Sequence, residues 1–215
     1  MKKYLFILTC LVVIAACNQG RKYFPKDSEM EEQTIEFVRF DNDLFNVNPT
    51  SITDDIRVLY DKYPIFMPLW VEDILGIPAA DTTYLAQVLP QFLSDTLYGF
   101  EKTNAREQEV FADISDLQSS INQAFTRIHW LYPEMVIPTI YIFVSGFNAP
   151  IYFYEDIIGI GADMYLGSDY EYYNRVVYDY QKQTMRPECI PVDIVSAYLF
   201  RNIPYTATMA PMIAE

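Results

Sequence analysis

Hydrophobic positions along this chain change period several times, and each change predicts an element. Ile35-Glu36-Phe37-Val38-Arg39-Phe40 reads as a strand, after which Asp41, Asn42 and Asp43 turn the chain. From Ser51 to Tyr63 the spacing becomes helical. Ile56, Leu59, Tyr60 and Tyr63 share a face, Ser51 with Asp54 three residues on has the form of a capping box, and Pro64 closes the helix. A second helix fits Thr82 to Leu93, with Asp81 as N-cap and Leu85, Val88, Leu89 and Phe92 turned inward. Pro90 lies inside that pattern and is expected to kink or break it.

The longest pattern runs from about Ala105 to Leu131. Val110, Ile114, Leu117, Ile121, Ala124, Ile128 and Leu131 alternate spacings of four and three and form one stripe, while Glu107, Asp113, Asp116, Gln118, Asn122 and Arg127 occupy the polar faces. The stripe is too short for a coiled coil and is expected to pack within its own domain. Pro133 ends it. Thr139 to Val144 is then β-branched and aromatic between Pro138 and Gly146, a buried strand, and Ile151–Tyr154 and Asp156–Asp163 predict two more. A last helix fits Pro191 to Phe200. The pattern predicts an α+β fold, N-terminal helices packed on a small mixed β-sheet, with no internal repeat.

The first residues follow another logic. Met1-Lys2-Lys3 is basic, Tyr4 to Ala15 is nearly all apolar but too short to cross a bilayer comfortably, and Ile14-Ala15-Ala16-Cys17 has the form of a lipobox. Residues 1–16 therefore read as a lipoprotein signal peptide, with Cys17 the lipidated (palmitate-bearing) residue after cleavage. Acyl chains on Cys17 would anchor the protein to a lipid bilayer. Residues 17–34 are polar, with a basic start and an acidic finish, and read as a tether. A single domain is expected over residues 35–215.

Charge and cysteine content narrow the partners. The formal net charge is −14, and the two signal lysines leave with the signal, so the mature chain is more acidic still. That excess argues against nucleic acid and against lying flat on anionic lipid. Of the three cysteines, Cys10 leaves with the signal and Cys17 is modified, so Cys189 stands alone and is expected to be a buried small apolar residue.

His129 is the only histidine, which excludes a zinc site of the His-Glu-x-x-His type, and no Gly-x-Ser-x-Gly occurs. No catalytic residue, metal site or cofactor is expected. Gly159-Ile160-Gly161 lacks the third glycine of a dinucleotide loop and reads as backbone fit. Asp163, Asp169 and Glu171 offer oxygen ligands for Ca²⁺ without the EF-hand spacing, and an exposed acidic turn is the favoured reading. Tyr165, Tyr170, Tyr172, Tyr173, Tyr178 and Tyr180 form a cluster suited to core packing, to a protein interface or to stacking on sugar rings. Tyr165, Tyr170, Tyr172 and Tyr173 are the candidate interaction surface.

Arg39-Phe40-Asp41 with Leu44-Phe45, then Val144-Ser145-Gly146-Phe147, then Gly161-Ala162-Asp163-Met164-Tyr165-Leu166-Gly167 resembles the GldB family of gliding-motility lipoproteins. The likeness covers residues 35–215, and the last of the three segments is its most specific piece. It implies a membrane-anchored, non-enzymatic protein with a scaffold or interaction role in gliding or linked secretion. On that reading it lies in the cell envelope, faces the periplasm and works with an envelope protein partner. The family is distantly similar to zincin-type peptidases without their metal ligands, which implies a degenerate zincin-like fold. In that likeness Met212-Ile213-Ala214-Glu215 would open the metal-motif helix, with Ala214 where a histidine would stand. Family members continue beyond the point at which this chain stops, so a domain incomplete at its C-terminus is expected. Two other readings stay open: a zincin-related hydrolase, degenerate or with its active site beyond Glu215, and a glycan-binding surface lipoprotein.

Overall fold

The run Thr139–Phe143 is apolar on both of its faces, and a strand of that kind has to be covered on both. The computed structural model describes residues 25–26, 29–94 and 100–203, and covers it in that way. The predicted signal, Cys17, most of the tether and Met212–Glu215 lie outside the described residues. In chain order the elements are β1 (Phe37–Arg39), α1 (Phe40–Phe45), α2 (Ile52–Lys62), α3 (Phe66–Leu69) running into a π-helical turn (Trp70–Ile74), and α4 (Thr82–Ser94). Then come α5 (Phe100–Val110), α6 (Ser115–Leu131), β2 (Thr139–Phe143), β3 (Ile151–Tyr154) and β4 (Ile157–Gly161), which leads into a 3₁₀ turn (Ala162–Met164). Short helices α7 (Tyr173–Val176) and α8 (Asp179–Lys182), a 3₁₀ turn (Pro187–Cys189) and α9 (Ile190–Asn202) complete the fold.

The α+β class is as the pattern predicts. The sheet is four-stranded in the order β1-β2-β4-β3, with β1, β2 and β4 parallel and β3 antiparallel on the edge. Alternation along the strands divides the interior. Ile140, Ile142, Ile158 and Ile160 face a core built with Ile121, Phe125 and Ile128 of α6 and Ile190 and Ile194 of α9. Phe143 and the half-buried Tyr141 and Ile157 face a second core with Phe40, Leu44, Ile56, Leu59, Phe66, Trp70, Leu85 and Leu89. Helices thus cover both faces, the N-terminal ones only one of them. In the second core Phe40 packs against Tyr63, Phe66 and Trp70 with ring centroids 5.0–5.5 Å apart, and Trp70 Nε1 donates to the Val144 carbonyl at 2.9 Å.

Several local expectations are corrected. Asp41, Asn42 and Asp43 form no turn; they lie in α1, which starts at Phe40, because burying Phe40 and Leu44 on one side needs a helical repeat. Ser51 does not cap α2 with its side chain, and its hydroxyl goes instead to Asp55. Asp81 does cap α4, accepting from the Tyr84 N–H at 3.0 Å. Pro90 neither ends nor breaks α4. An interior proline costs about 3 kcal/mol, and fully buried Leu85 and Leu89 return about 1.5–3 kcal/mol each.

The predicted helix over Ala105–Leu131 is two helices. Asp113 Oδ1 accepts from the Ser115 N–H at 2.9 Å and restarts the chain as α6. The inward stripe of α6 is also turned from the expected one: Phe125 is fully buried, whereas Leu131 is exposed. Asn122 Oδ1 and Thr126 Oγ1 on α6 accept from the backbone N–H groups of Ile35 and Gln33, each at 2.9 Å, and so fix the segment that enters β1.

Candidate functional site

Because β1, β2 and β4 are parallel, their carboxyl ends share one edge of the sheet. In open sheets with parallel strands that edge is where ligand sites gather. Arg39 and Asp41 leave β1 there, Val144 to Phe147 leaves β2, and Asp163 follows β4. α5 lies across these segments and sends Thr103, Arg106 and Glu107 towards them, spaced to fall on one helical face.

Asp41, Glu107 and Asp163 are all fully buried. Arg39 meets Asp41 with Nε at 2.9 and 3.1 Å and Nη2 at 2.6 Å, a bidentate pair. Its Nη2 also reaches Asn42 Oδ1 at 3.0 Å, and its Nη1 donates to the Phe111 carbonyl at 2.7 Å, just past the end of α5. Asp163 accepts from the Ser145 N–H at 2.7 Å, the Ser145 hydroxyl at 3.1 Å and the Phe147 N–H at 2.5 Å. Gly146 and Phe147 both hold positive φ, 68° and 60°, which turns these N–H groups into a nest around the carboxylate. A left-handed non-glycine residue costs on the order of 1–3 kcal/mol, and the charge-assisted bonds to Asp163 offset it. Burial still pushes the Asp163 carboxyl up, against the lowering effect of those donors.

Glu107 is in a different state. Both of its carboxyl oxygens are buried and receive no hydrogen bond from the chain. Burial, then the charges of Asp41 and Asp163, hold its carboxyl well above the usual carboxylate range. The sequence places Glu107 on a polar helix face, and the structure reverses that. Its four-residue spacing to buried Thr103 and buried Phe111 was the available signal, masked by the competing stripe through Val110 and Ile114.

The other expected site residues fall as follows. Asp163 is not part of an exposed acidic turn, while Asp169 and Glu171 are exposed, and among the described residues no group of three acidic, His or Cys side chains could hold a metal ion. Tyr165 and Tyr173 are buried and cannot present a surface. The Tyr165 hydroxyl donates to Asp193 at 2.9 Å, and that of Tyr173 donates to the Asp163 carbonyl and accepts from the Leu166 N–H, both at 2.8 Å. Tyr170 is half-buried with its hydroxyl 2.7 Å from Thr103 Oγ1, and half-buried Tyr172 packs on Phe147 at 4.8 Å. Tyr178 and Tyr180 are 73% and 74% exposed and stack on each other. His129 is half-buried with Nδ1 lacking a partner, and Cys189 is half-buried rather than buried. A Cβ on Gly161 would lie 2.1 Å from the Ala149 carbonyl, and one on Gly159 2.7 Å from the Phe143 ring, so both glycines are there for backbone fit.

Among the described residues no helix is long and apolar enough to cross a membrane. Comparison with curated proteins and with solved structures returns no significant match. A family model described as gliding motility protein GldB matches residues 22–215. That span contains Arg39-Phe40-Asp41, the Ser145–Phe147 nest and the whole Gly161–Gly167 segment, and the chain belongs to the GldB family of gliding-motility lipoproteins.

Proposed function

We propose that this gliding-motility family member is a lipid-anchored scaffold of the cell envelope, held by acylated Cys17 on the periplasmic side of a membrane, and that it binds an envelope protein partner rather than catalysing a reaction. One observation carries this reading. The polar groups of Gly161–Gly167, the most specific segment of the chain, are spent on internal partners. Asp163 fills the nest, Tyr165 bonds Asp193, the Leu166 N–H bonds Tyr173, and the Leu166 carbonyl accepts from Arg106. A segment so committed holds a shape. What it holds at the surface is aromatic: Tyr172 on Phe147 beside Arg175, with Tyr178 and Tyr180 following in the same stretch. Tyrosine and arginine are the residues that anchor protein interfaces.

The test is complementation of a deletion strain. Tyr172→Ala and the pair Tyr178→Ala/Tyr180→Ala are expected to fold as the wild type by circular dichroism, to reach the membrane, and to fail to restore gliding. Full restoration by both, together with loss of gliding in a well-folded Glu107→Gln chain, would replace the scaffold by acid–base chemistry at the buried carboxyls.

A further inference from the structure

Glu107 carries a fully buried carboxyl group whose two oxygens find no donor. Its charged and titratable neighbours include Arg39 and Asp41 from the β1–α1 junction, Asp163 from the turn after β4, and Tyr173 from α7. None of them gives it a proton. Arg39 donates to Asp41, Asn42 and the Phe111 carbonyl, and Tyr173 donates to the Asp163 carbonyl. The charges that act on it most strongly are those of Asp41 and Asp163, both fully buried. A carboxylate is an acceptor only, so burial without a donor disfavours its charged form. Burial and the two acidic neighbours favour the neutral form of Glu107, and Arg39 is engaged with Asp41 instead.

We propose that Glu107 is protonated in the folded chain, and that this neutral carboxyl, buried with Asp41 and Asp163, is a latch holding α5 over the carboxyl edge of the sheet. α5 is a polar helix, Phe100 to Val110, and Arg39 Nη1 holds the Phe111 carbonyl just past its end. Thr103 meets Tyr170, Arg106 Nε donates to the Leu166 carbonyl at 3.1 Å, and Gln108 Nε2 donates to Asn42 at 2.9 Å. When the proton leaves, a charged Glu107 joins Asp41 and Asp163 in one buried space. Asp41 is fixed by Arg39 and Asp163 by the nest, so the repulsion falls on the contact that can give. Glu107 then gains water by the lifting of α5, which uncovers Asp163 and the Tyr170–Tyr173 layer. The latch is closed while the proton is bound and opens as pH rises.

The experiment is hydrogen–deuterium exchange on the full lipidated chain in detergent, from mildly acidic to mildly alkaline buffer, with rates corrected for intrinsic chemistry. In the wild type, protection of the α5 amides should fall with rising pH, by up to about tenfold per unit once Glu107 titrates, while α6 and β2 stay protected. Glu107→Gln supplies a neutral donor of the same shape and should make α5 protection independent of pH. Infrared spectra of the wild type at neutral pH should show the carbonyl stretch of a neutral carboxylic acid, and this band decides the matter if the Gln chain does not fold. A wild type without the band, or α5 protection that ignores pH, would overturn the latch. So would protection that follows added Na⁺ or Ca²⁺ instead of pH, since the two oxygens would then be ligands of a cation.

Discussion

The guanidinium of Arg39 grips the carboxylate of Asp41 from two residues away and holds the Phe111 carbonyl with its remaining arm, at 2.7 Å. One side chain thereby joins the end of β1, the start of α1 and the end of α5. Arg39→Met removes all of this and leaves Asp41 buried with no countercharge. Breaking a buried pair from one side costs about 3–5 kcal/mol. The expected outcome is a clear fall in the urea midpoint with an unchanged slope. Arg39→Lys should recover only part of it, because a point charge cannot reproduce the fork.

Gly161→Ala tests the close approach of β4 to the segment before β3. The added Cβ meets backbone at 2.1 Å, and backbone cannot rotate away as a side chain can. A cost of about 3 kcal/mol is expected, seen as a fall in Tm of roughly 6–12 °C.

Stability should depend on pH with a sign set by Glu107 and Asp163. Burial raises both carboxyls above their unfolded values, so the folded chain binds these protons more tightly than the unfolded one. Their contribution is full below the unfolded carboxylate range and is lost as pH rises through the folded values. Melting curves should therefore show a Tm that declines from mildly acidic to neutral and alkaline buffer. Glu107→Gln is expected to flatten that decline, and a variant that keeps the full slope would contradict the assignment.

The chain holds two tryptophans in opposite surroundings. Trp70 is buried in the aromatic core with its indole N–H on the Val144 carbonyl, and Trp130 is 41% exposed near the end of α6. Acrylamide should quench Trp130 and spare Trp70, so a Trp130→Phe chain should show blue-shifted emission with little quenching. Trp70→Phe leaves the Val144 carbonyl without its donor and should cost about 1–3 kcal/mol from that loss alone.

Cys17→Ala addresses the anchor. If Cys17 is the proposed lipidation site, its replacement should abolish incorporation of labelled fatty acid and release the protein from the membrane fraction, and persistence of both would exclude lipid at this residue.

What could be read in the sequence is what local periodicity controls. The run Thr139–Phe143 and the alternating burial on its faces follow from β-branched and aromatic residues, and α2, α4 and α9 follow from apolar spacing. The break before Ser115 is marked by the Asp113-x-Ser115 turn, but a stripe that keeps its period on both sides of a break conceals it. Asp163 could be found through the segment that contains it, although nothing local says that its partners are Ser145 and Phe147, sixteen to eighteen residues earlier. Glu107 was hidden, because the stripe through Val110 and Ile114 outweighed its spacing to Thr103 and Phe111. A glutamate on a polar helix reads as a solvated face until Asp41, some sixty residues away in the chain, is placed against it.

The two bonds from α6 to the backbone of Gln33 and Ile35 have a mechanical meaning. A lipid at Cys17 would deliver tension from the membrane through the chain that leads to Gln33. Gln33 and Ile35 are backbone points at which that tension reaches α6. Asn122 and Thr126 stand one helical turn apart on α6, so the load is divided between two side chains of the longest described helix before it reaches the short edge strand β1. Pulled directly, three residues of edge strand would unzip one hydrogen bond after another. Moored to α6, the strand is relieved, and the body can transmit a pull without losing an edge of its sheet.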